Sequence, residues 1–441
     1  MEVLIIAAGE GERLNHRFSP KPLIPIFGIS LIERIILRAK SAGFNRFKIV
    51  VGYKADQIME KVGNGDKYGV QVDYIFNSEW KKGNGISVYK AKDYFQERFI
   101  LLMSDHLFDD SILRKLQQIK PEEDGSILCV DRKLNGDHFD IDDVTRVLVE
   151  NEKVKSINKG LDRFNALDTG IFLYSPVIFE ALEESIFRGE YSLSAANQIL
   201  SNRGKLKTLD IGDHFWIDVD NTKDLQKAKK ILIMQLIKPT DGPISRRLNR
   251  KISVWISSKL SLFKIIPNHL TLISFFLAVL AAVLFFLGGY PRIVLGGVMA
   301  QLSSILDGCD GEIARLKFKQ SRFGGYLDRF LDRYADGLII LGITFACFRS
   351  TGSNWVWLLG FFALMGSFMN SYTALQYDEF LISKAFINQR TFRMGRDIRL
   401  FIVFIGAVLN QFIAVLLILA IVTNIESLRR LFIFRHEHQL S

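Results

Sequence analysis

The chain has 441 residues, 49% of them hydrophobic, and 57 Lys plus Arg against 47 Asp plus Glu give a formal net charge of +10. That length leaves room for two or three domains with separate cores, while three scattered cysteines (Cys129, Cys309, Cys347) with no C-x-x-C pair argue against a disulfide framework and a zinc site. The long apolar runs fall in the second half, so the positive excess is read as the cytoplasmic loop bias of a membrane protein and not as a nucleic-acid surface.

The first stretch, residues 1–233, alternates strand-like and helix-like segments. Val3–Ala8, Phe47–Gly52, Val70–Phe76 and Phe99–Met103 are short runs of β-formers, and Ser30–Ala42 places Leu31, Ile35, Ile36 and Ala39 on one helical face. This alternation predicts a mostly parallel sheet covered by helices, an α/β Rossmann-like domain. The opening MEVLIIAAGEGERL has no basic leader and no cleavage site, so the domain is expected in the cytoplasm.

Directly after the first predicted strand come Ala8, Gly9, Gly11 and Arg13, then Pro20, Lys21, Pro22 and Leu23. Two glycines allow backbone N–H groups close to phosphates, and Arg13 and Lys21 supply positive charge for a triphosphate. The Gly-rich turn with the spaced PKPL resembles the sugar-phosphate nucleotidyltransferases over about residues 1–230. The resemblance implies that Gly83 and Asn84 read the base and that Asp105 is a metal ligand. It further implies a second carboxylate at Asp218 or Asp220, a choice the sequence leaves open, and contacts from Lys159 and Asp168 to the sugar-phosphate. The implied chemistry is in-line attack of a substrate phosphate on a nucleotide α-phosphate, expelling pyrophosphate.

Residues 234–264 read as a linker and a basic amphipathic helix. Ile244, Leu248, Ile252, Trp255 and Ile256 recur at helical spacing among Arg246, Arg247, Arg250 and Lys251, a pattern that suits a helix lying on a membrane surface. The remainder, 265–441, is the transmembrane domain. Leu270–Gly289 is uncharged for 20 residues, and further apolar runs follow at Ile293–Leu306, Gly337–Phe348, Trp355–Leu375 and Leu400–Ile425. The last run is 26 residues long and is interrupted by Asn410 and Gln411. Reading it as two spans puts every basic cluster on one side, so an all-α six-helix transmembrane domain is predicted.

Asp307, Asp310, Asp328 and Asp332 stand at the ends of the second and third runs. Spacings of i, i+3 and i, i+4 put each pair on one face of its helix, and two facing pairs form an oxygen-rich cage for divalent cations, Mg²⁺ first and Mn²⁺ as a substitute. Carboxylates at membrane depth are functional candidates in their own right. The full pattern D-x2-D-G-x2-A-R-x8-G-x3-D-x3-D resembles the CDP-alcohol phosphotransferase family over roughly 244–435. That resemblance implies two metals among Asp307, Asp310 and Asp328. It makes Asp332 the base toward the acceptor hydroxyl, also touching metal, and puts Gly311, Ala314 and Arg315 beside the CDP moiety. Arg390, Arg393, Arg396 and Arg399 precede the fifth span and are candidates to hold an acceptor's phosphate.

Together the halves resemble the bifunctional enzymes that make CDP-inositol from CTP and inositol-1-phosphate and then pass phosphoinositol to a second inositol-1-phosphate. The resemblance implies a multi-pass protein of the cell membrane, with both sites facing the cytoplasm, and a homodimer. On residues alone two other readings stay open: a synthase that transfers a CTP-activated headgroup such as phosphocholine to a lipid, and a transporter with a nucleotide-sensing domain.

Overall fold

A computed structural model describes residues 1–11, 20–119, 124–134, 144–237, 245, 249–383 and 394–438. The chain divides into two compact units, Met1–Ile231 and Leu232–Ser441.

Among the described residues the main sheet of the first unit has nine strands, with two short two-stranded pairings beside it: β1 (Glu2–Ala7), β2 (Arg46–Val51), β3 (Gln71–Phe76), β4 (Phe99–Met103), β5 (Ser126–Asp131), β6 (Arg146–Glu150), β7 (Lys153–Asn158), β8 (Ala166–Tyr174) and β9 (Leu206–Asp210). Their order across the sheet is β3-β2-β1-β4-β8-β5-β9-β7-β6. Strands β1 to β4 are mutually parallel, as the alternation of strand and helix predicts. Beyond β4 the prediction of a mostly parallel sheet fails: β8 runs antiparallel to β4 and β5, and β7 antiparallel to β6 and β9. The connections explain the change. β6 and β7 are joined by Asn151 and Glu152, both with positive φ, which closes a tight hairpin. Seven residues between β7 and β8 are too few for a parallel crossover.

Alternation along β1 feeds both faces of the sheet. Val3, Ile5 and Ala7 join one core and Leu4, Ile6 and Ala8 the other, all nearly or fully buried. Helix α1 (Leu31–Ser41) covers the first face with Ile32, Ile35, Ile36 and Ala39. Each such large aliphatic side chain contributes about 1.5–3 kcal/mol on burial. Its start is fixed by a capping box in which Glu33 Oε2 accepts from Ser30 N at 3.0 Å and from Ser30 Oγ at 2.6 Å. Helices α2 (Ala55–Val62), α3 (Asn84–Tyr89), α4 (Asp110–Gln118), α5 (Val177–Phe187), α6 (Leu193–Asn202) and α7 (Thr222–Met234) follow. The C-terminal ends of β1 and β4 carry Ala8–Gly11 and Asp105, the place where open α/β sheets present their ligands.

In the second unit helix α8 (Arg250–Leu260) precedes α9 (Pro267–Leu287), α10 (Tyr290–Leu316), α11 (Arg322–Thr351), α12 (Trp355–Ser383), α13 (Arg396–Val408) and α14 (Phe412–His438). Among the described residues, α9, α10, α12 and α14 are long and apolar enough to cross a membrane. The six-span prediction counts α11 and α13 as well. α11 is apolar only in its second half, because its first half holds the aspartates, and α13 has 13 residues. The break in the last apolar run falls at Asn410, which takes a left-handed φ of 54°.

α8 presents Trp255 outward and is followed by exposed Leu262 and Phe263, as a helix at a membrane surface requires. Arg250 departs from the predicted basic face. It turns inward, and its Nη1 lies 2.6 Å from Oε1 of the fully buried Glu312 on α10, which also accepts from Ser253 Oγ at 2.7 Å. The ion pair pins α8 to the helix that carries the first two aspartates. Ile244 and residues 246–248, part of the same predicted helix, lie outside the described residues.

Small residues let the long helices approach closely. A Cβ on Gly342 of α11 would lie 2.6 Å from the Ala282 carbonyl oxygen of α9. Gly342→Ala should therefore push α11 off α9 at a cost of about 1–3 kcal/mol. Thermal unfolding of the detergent-solubilised chain measures it, and an unchanged midpoint would refute this packing.

Candidate active sites

The first site forms at the ends of β1 and β4. Gly11 has φ 68°, and a Cβ there would sit 2.6 Å from Lys21 Cβ, so the turn closes over Lys21 only because Gly11 has no side chain. Lys21, 8% exposed, donates from Nζ to Asp105 Oδ2 (2.6 Å) and Asp220 Oδ1 (2.5 Å) and lies 3.7 Å from Asp218 Oδ1. Burial works against its charge, but Asp105, Asp218 and Asp220 outweigh that and hold the ammonium well above its usual pKa. Arg13 lies outside the described residues.

A cavity of about 230 Å³ lies beside this cluster and is lined by Asn84, Asp105, His106, Lys159, Asp168, Asn197, Asp218 and Asp220, among others. The structure thus gathers Lys159 and Asp168 with the carboxylates, which lie 50 to 63 residues away in sequence. Asn84 spends its Oδ1 on the Leu193 N–H at 2.8 Å, which ties the predicted base-reading turn to the start of α6. Burial pushes the Asp168 carboxyl up to about 6, against the Gly170 N–H that it accepts at 2.8 Å.

His106 is the residue that sequence reasoning missed. Its Nδ1 is 2.7 Å from the Thr169 carbonyl, which makes Nδ1 the donor and directs Nε2 at Asp218 Oδ2 (3.4 Å) and Asp105 Oδ1 (3.7 Å). Burial lowers the imidazole, yet Asp218 and then Asp105 raise it further, to about 10. Side-chain oxygens or nitrogens of Asp105, His106 and Asp218 all come within 4.8 Å of one another. Asp105 Oδ1 and Asp218 Oδ1 are buried and accept no hydrogen bond. Hard, unshared oxygens of this kind fit Mg²⁺ or Mn²⁺. The only sequence signal for His106 is its place next to Asp105, opposite Trp216–Asp218 in a two-stranded pairing.

The second site lies between α10 and α11. Asp307, Asp328 and Asp332 bring their carboxylates within 4.8 Å of one another, and Asp307 Oδ1 is buried without a hydrogen bond. This donor set fits a divalent cation. Asp310 shares the helix face but lies outside that group of three. Its Oδ2 accepts from Thr271 Oγ1 of α9 at 2.5 Å, and its Oδ1 from the Gly311 N–H. Gly311 has open space except for Arg315 Nη1, while Arg315 Nη2 donates to the Leu236 carbonyl at 3.1 Å. Ala314 follows on the same helix face as Asp307 and Asp310.

Arg396, at the start of α13, reaches Asp332 Oδ1 (2.8 Å), Asp307 Oδ1 (3.2 Å) and, through Nε, Asp336 Oδ1 (3.0 Å). Arg399 is buried against Asp336 at 2.7 Å and donates to Ser371 Oγ at 3.1 Å. These two predicted acceptor arginines therefore neutralise the acidic cage in this arrangement; Arg390 and Arg393 lie outside the described residues. A cavity of about 320 Å³ opens beside Asp307 and is lined by Arg250, Arg329, Arg333, Arg396, Arg399 and Arg430 with Asn249, Asn370 and several serines. Arg329, Arg333 and Arg430 carry no site role in the sequence pattern. They reach the cavity from helices far apart in the chain.

Family models match each half of the chain: nucleotidyl transferase over residues 2–234 and CDP-alcohol phosphatidyltransferase over 264–426. The protein is thus an enzyme with a nucleotidyltransferase domain followed by a helical, membrane CDP-alcohol phosphotransferase domain. The bifunctional IPC transferase and DIPP synthase of Aquifex aeolicus is 33% identical over 96% of this chain and 95% of its own. The protein of the same name from Rubrobacter xylanophilus is 33% identical over 97% and 95%. This chain belongs to that bifunctional family. Among solved structures, the inositol-1-phosphate CTP transferase from T. maritima matches 52% of this chain and 94% of its own, at 26% identity and a TM-score of 0.48.

Thr271 holds Asp310 by a single short hydrogen bond to a charged group, an interaction worth about 1.5–3 kcal/mol. Thr271→Val should cut CMP release from added CDP-alcohol by roughly tenfold or more and leave pyrophosphate release by the first domain unchanged. Equal rates of CMP release in both proteins would remove Asp310 orientation from the mechanism.

Proposed function

We propose that the first domain joins CTP and inositol-1-phosphate into CDP-inositol, and that the second passes phosphoinositol from CDP-inositol to another inositol-1-phosphate. In the first step a phosphate oxygen of inositol-1-phosphate attacks the α-phosphorus of CTP. The bond to the β-phosphate breaks and pyrophosphate leaves. Lys21 and Arg13 are the cations that oppose the charge of the triphosphate, with Ala8, Gly9, Gly11, Gly83 and Asn84 around the nucleotide. Asp105, with Asp218 or Asp220, would hold Mg²⁺, with His106 orienting these carboxylates, and the ion would supply charge neutralisation for the departing pyrophosphate.

In the second step a hydroxyl of the acceptor attacks the phosphorus that bears inositol, and the bond to the cytidylyl phosphate breaks, releasing CMP. Asp332 takes the hydroxyl proton. Asp307, Asp310 and Asp328 with Asp332 would hold the metal ions that neutralise the pyrophosphate bridge. Gly311, Ala314 and Arg315 border the CDP moiety. The product is a phosphodiester of two inositols that keeps one phosphate monoester.

One observation carries the choice of acceptor: the cavity at Asp307 is lined by six arginines, more than the pairs of Arg250 with Glu312, Arg430 with Glu426, and Arg396 and Arg399 with Asp336 take up. Guanidinium groups bind phosphate bidentately and have no use for a neutral diacylglycerol, so the cavity supports a phosphorylated, water-soluble acceptor over a lipid. α11 and α13 complete six crossings in this reading, and both sites face the cytoplasm, where CTP is available. A homodimer is part of the proposal.

Membranes carrying the protein, given CTP, Mg²⁺ and labelled inositol-1-phosphate, should form CDP-inositol and then the phosphorylated diester. Asp332→Asn should accumulate CDP-inositol and make no diester, and Lys21→Ala should make neither. Mixing the two variant preparations should restore the diester. A labelled product that partitions into organic solvent would overturn the choice of acceptor.

A further inference from the structure

Asn197 lies on α6, 1% exposed, and lines the cavity that holds Asp168 and Lys159. Its Oδ1 accepts from the Tyr174 hydroxyl at 2.7 Å. Tyr174 is itself fully buried at the end of β8 and stacked on Phe172, with ring centroids 5.0 Å apart. The amide is therefore anchored on one side by a residue of the core. On the other side Nδ2 is buried and has no hydrogen-bond partner. Buried amide donors are almost always paired, and one left unmade beside a cavity points to a ligand atom that completes it.

The chemistry of the neighbours limits what that atom is. Lys159 and the carboxylate-held His106 are the cations that line the cavity, and Lys159 suits the phosphate, whereas Asp168 is an acceptor. Among the groups of an alcohol phosphate, the uncharged one that can accept from Nδ2 and donate to a carboxylate is a hydroxyl. We infer that Asn197 donates to a ring hydroxyl of the alcohol phosphate and so selects the alcohol in the nucleotidyltransferase step. This rests on the reading of the cavity as the alcohol-phosphate site. A site built around a polar donor rejects analogues lacking the matching hydroxyl far better than an apolar wall does.

Full-length enzyme, assayed for CTP-dependent formation of CDP-alcohol from inositol-1-phosphate and its monodeoxy analogues, tests this. Asn197→Asp keeps an oxygen for Tyr174 and replaces the donor with an acceptor; Asn197→Ser withdraws the amide without adding charge and serves if the first variant does not fold. Either should raise KM for inositol-1-phosphate about tenfold with KM for CTP unchanged. One deoxy analogue should be penalised in the unsubstituted enzyme and carry no further penalty in the variants. Tyr174→Phe, which removes only the anchor, should keep that penalty. Variants in which every deoxy penalty persists in full, or in which both KM values rise together, would overturn the assignment. An unsubstituted enzyme that makes no CDP-inositol would overturn the functional reading and the assignment with it, an outcome distinct from an active enzyme whose penalties simply add.

Discussion

Carboxylates cannot be taken out of water singly, and both halves of this protein are organised around that constraint. In the helical domain Asp307, Asp332 and Asp336 converge on one guanidinium, Arg396, while Arg399 closes on Asp336 from one turn further along α13. α13 can start where it does only because its first turn supplies the cations that α10 and α11 need. In the nucleotidyltransferase domain Asp105, Asp218 and Asp220 converge on Lys21 in the same way. Removing one partner of such a buried cluster costs about 3–5 kcal/mol, because the remaining charge is stranded. The acidic sites are thus structural elements before they are catalytic ones.

The same constraint explains which oxygens are available for chemistry. Asp310 is tied by Thr271 and Gly311, whereas Asp105 Oδ1, Asp218 Oδ1 and Asp307 Oδ1 are buried and accept no hydrogen bond. Each faces a cation without a hydrogen bond (Arg396 at 3.2 Å from Asp307 Oδ1, Lys21 at 3.7 Å from Asp218 Oδ1, His106 Nε2 at 3.7 Å from Asp105 Oδ1), which compensates a buried oxygen less well than a bond would. A divalent cation at each site is the partner that fits hard oxygen donors at this spacing, and it would relieve the internal cations of that duty. Lys21 and the arginines would then be free to meet phosphate groups of the substrates.

Features set by local periodicity were legible in the sequence. Phe99–Met103 is found as predicted, two predicted strands shift by one residue at both ends and one at its start, and the Ser30–Ala42 pattern appears as Leu31–Ser41. Aspartates at i, i+3 and i, i+4 share their helix faces because helix geometry leaves no alternative. Features set by tertiary approach were not legible. The switch to antiparallel pairing after β4 depends on connection length and on the Asn151–Glu152 hairpin, which carries no glycine to announce it. His106 acquires its place from the Thr169 carbonyl and the strand of Trp216, and Arg250 reads as a surface cation until Glu312 is seen opposite. Arg329 and Arg333 of α11 line one cavity with Arg430 of α14 only after the helices have packed.

The length of α13 bears on how the membrane half is threaded. Thirteen helical residues rise about 20 Å, against a hydrocarbon core of about 30 Å. A helix this short cannot cross a flat bilayer alone, and lipid-exposed backbone beyond its ends would leave unpaired polar groups. Its ends are instead enclosed by protein. Arg396 and Arg399 at its start pair with aspartates of α11, and past its end Gln411 N donates to the Gly406 carbonyl at 2.8 Å before α14 begins. Tyr290, at the start of α10, donates to the Val408 carbonyl at 3.0 Å, so the last turn is also closed by a neighbouring helix. A short helix shielded at both ends by longer ones can satisfy its backbone without spanning a bilayer by itself, and its starting point beside α11 is set by the aspartates it must neutralise.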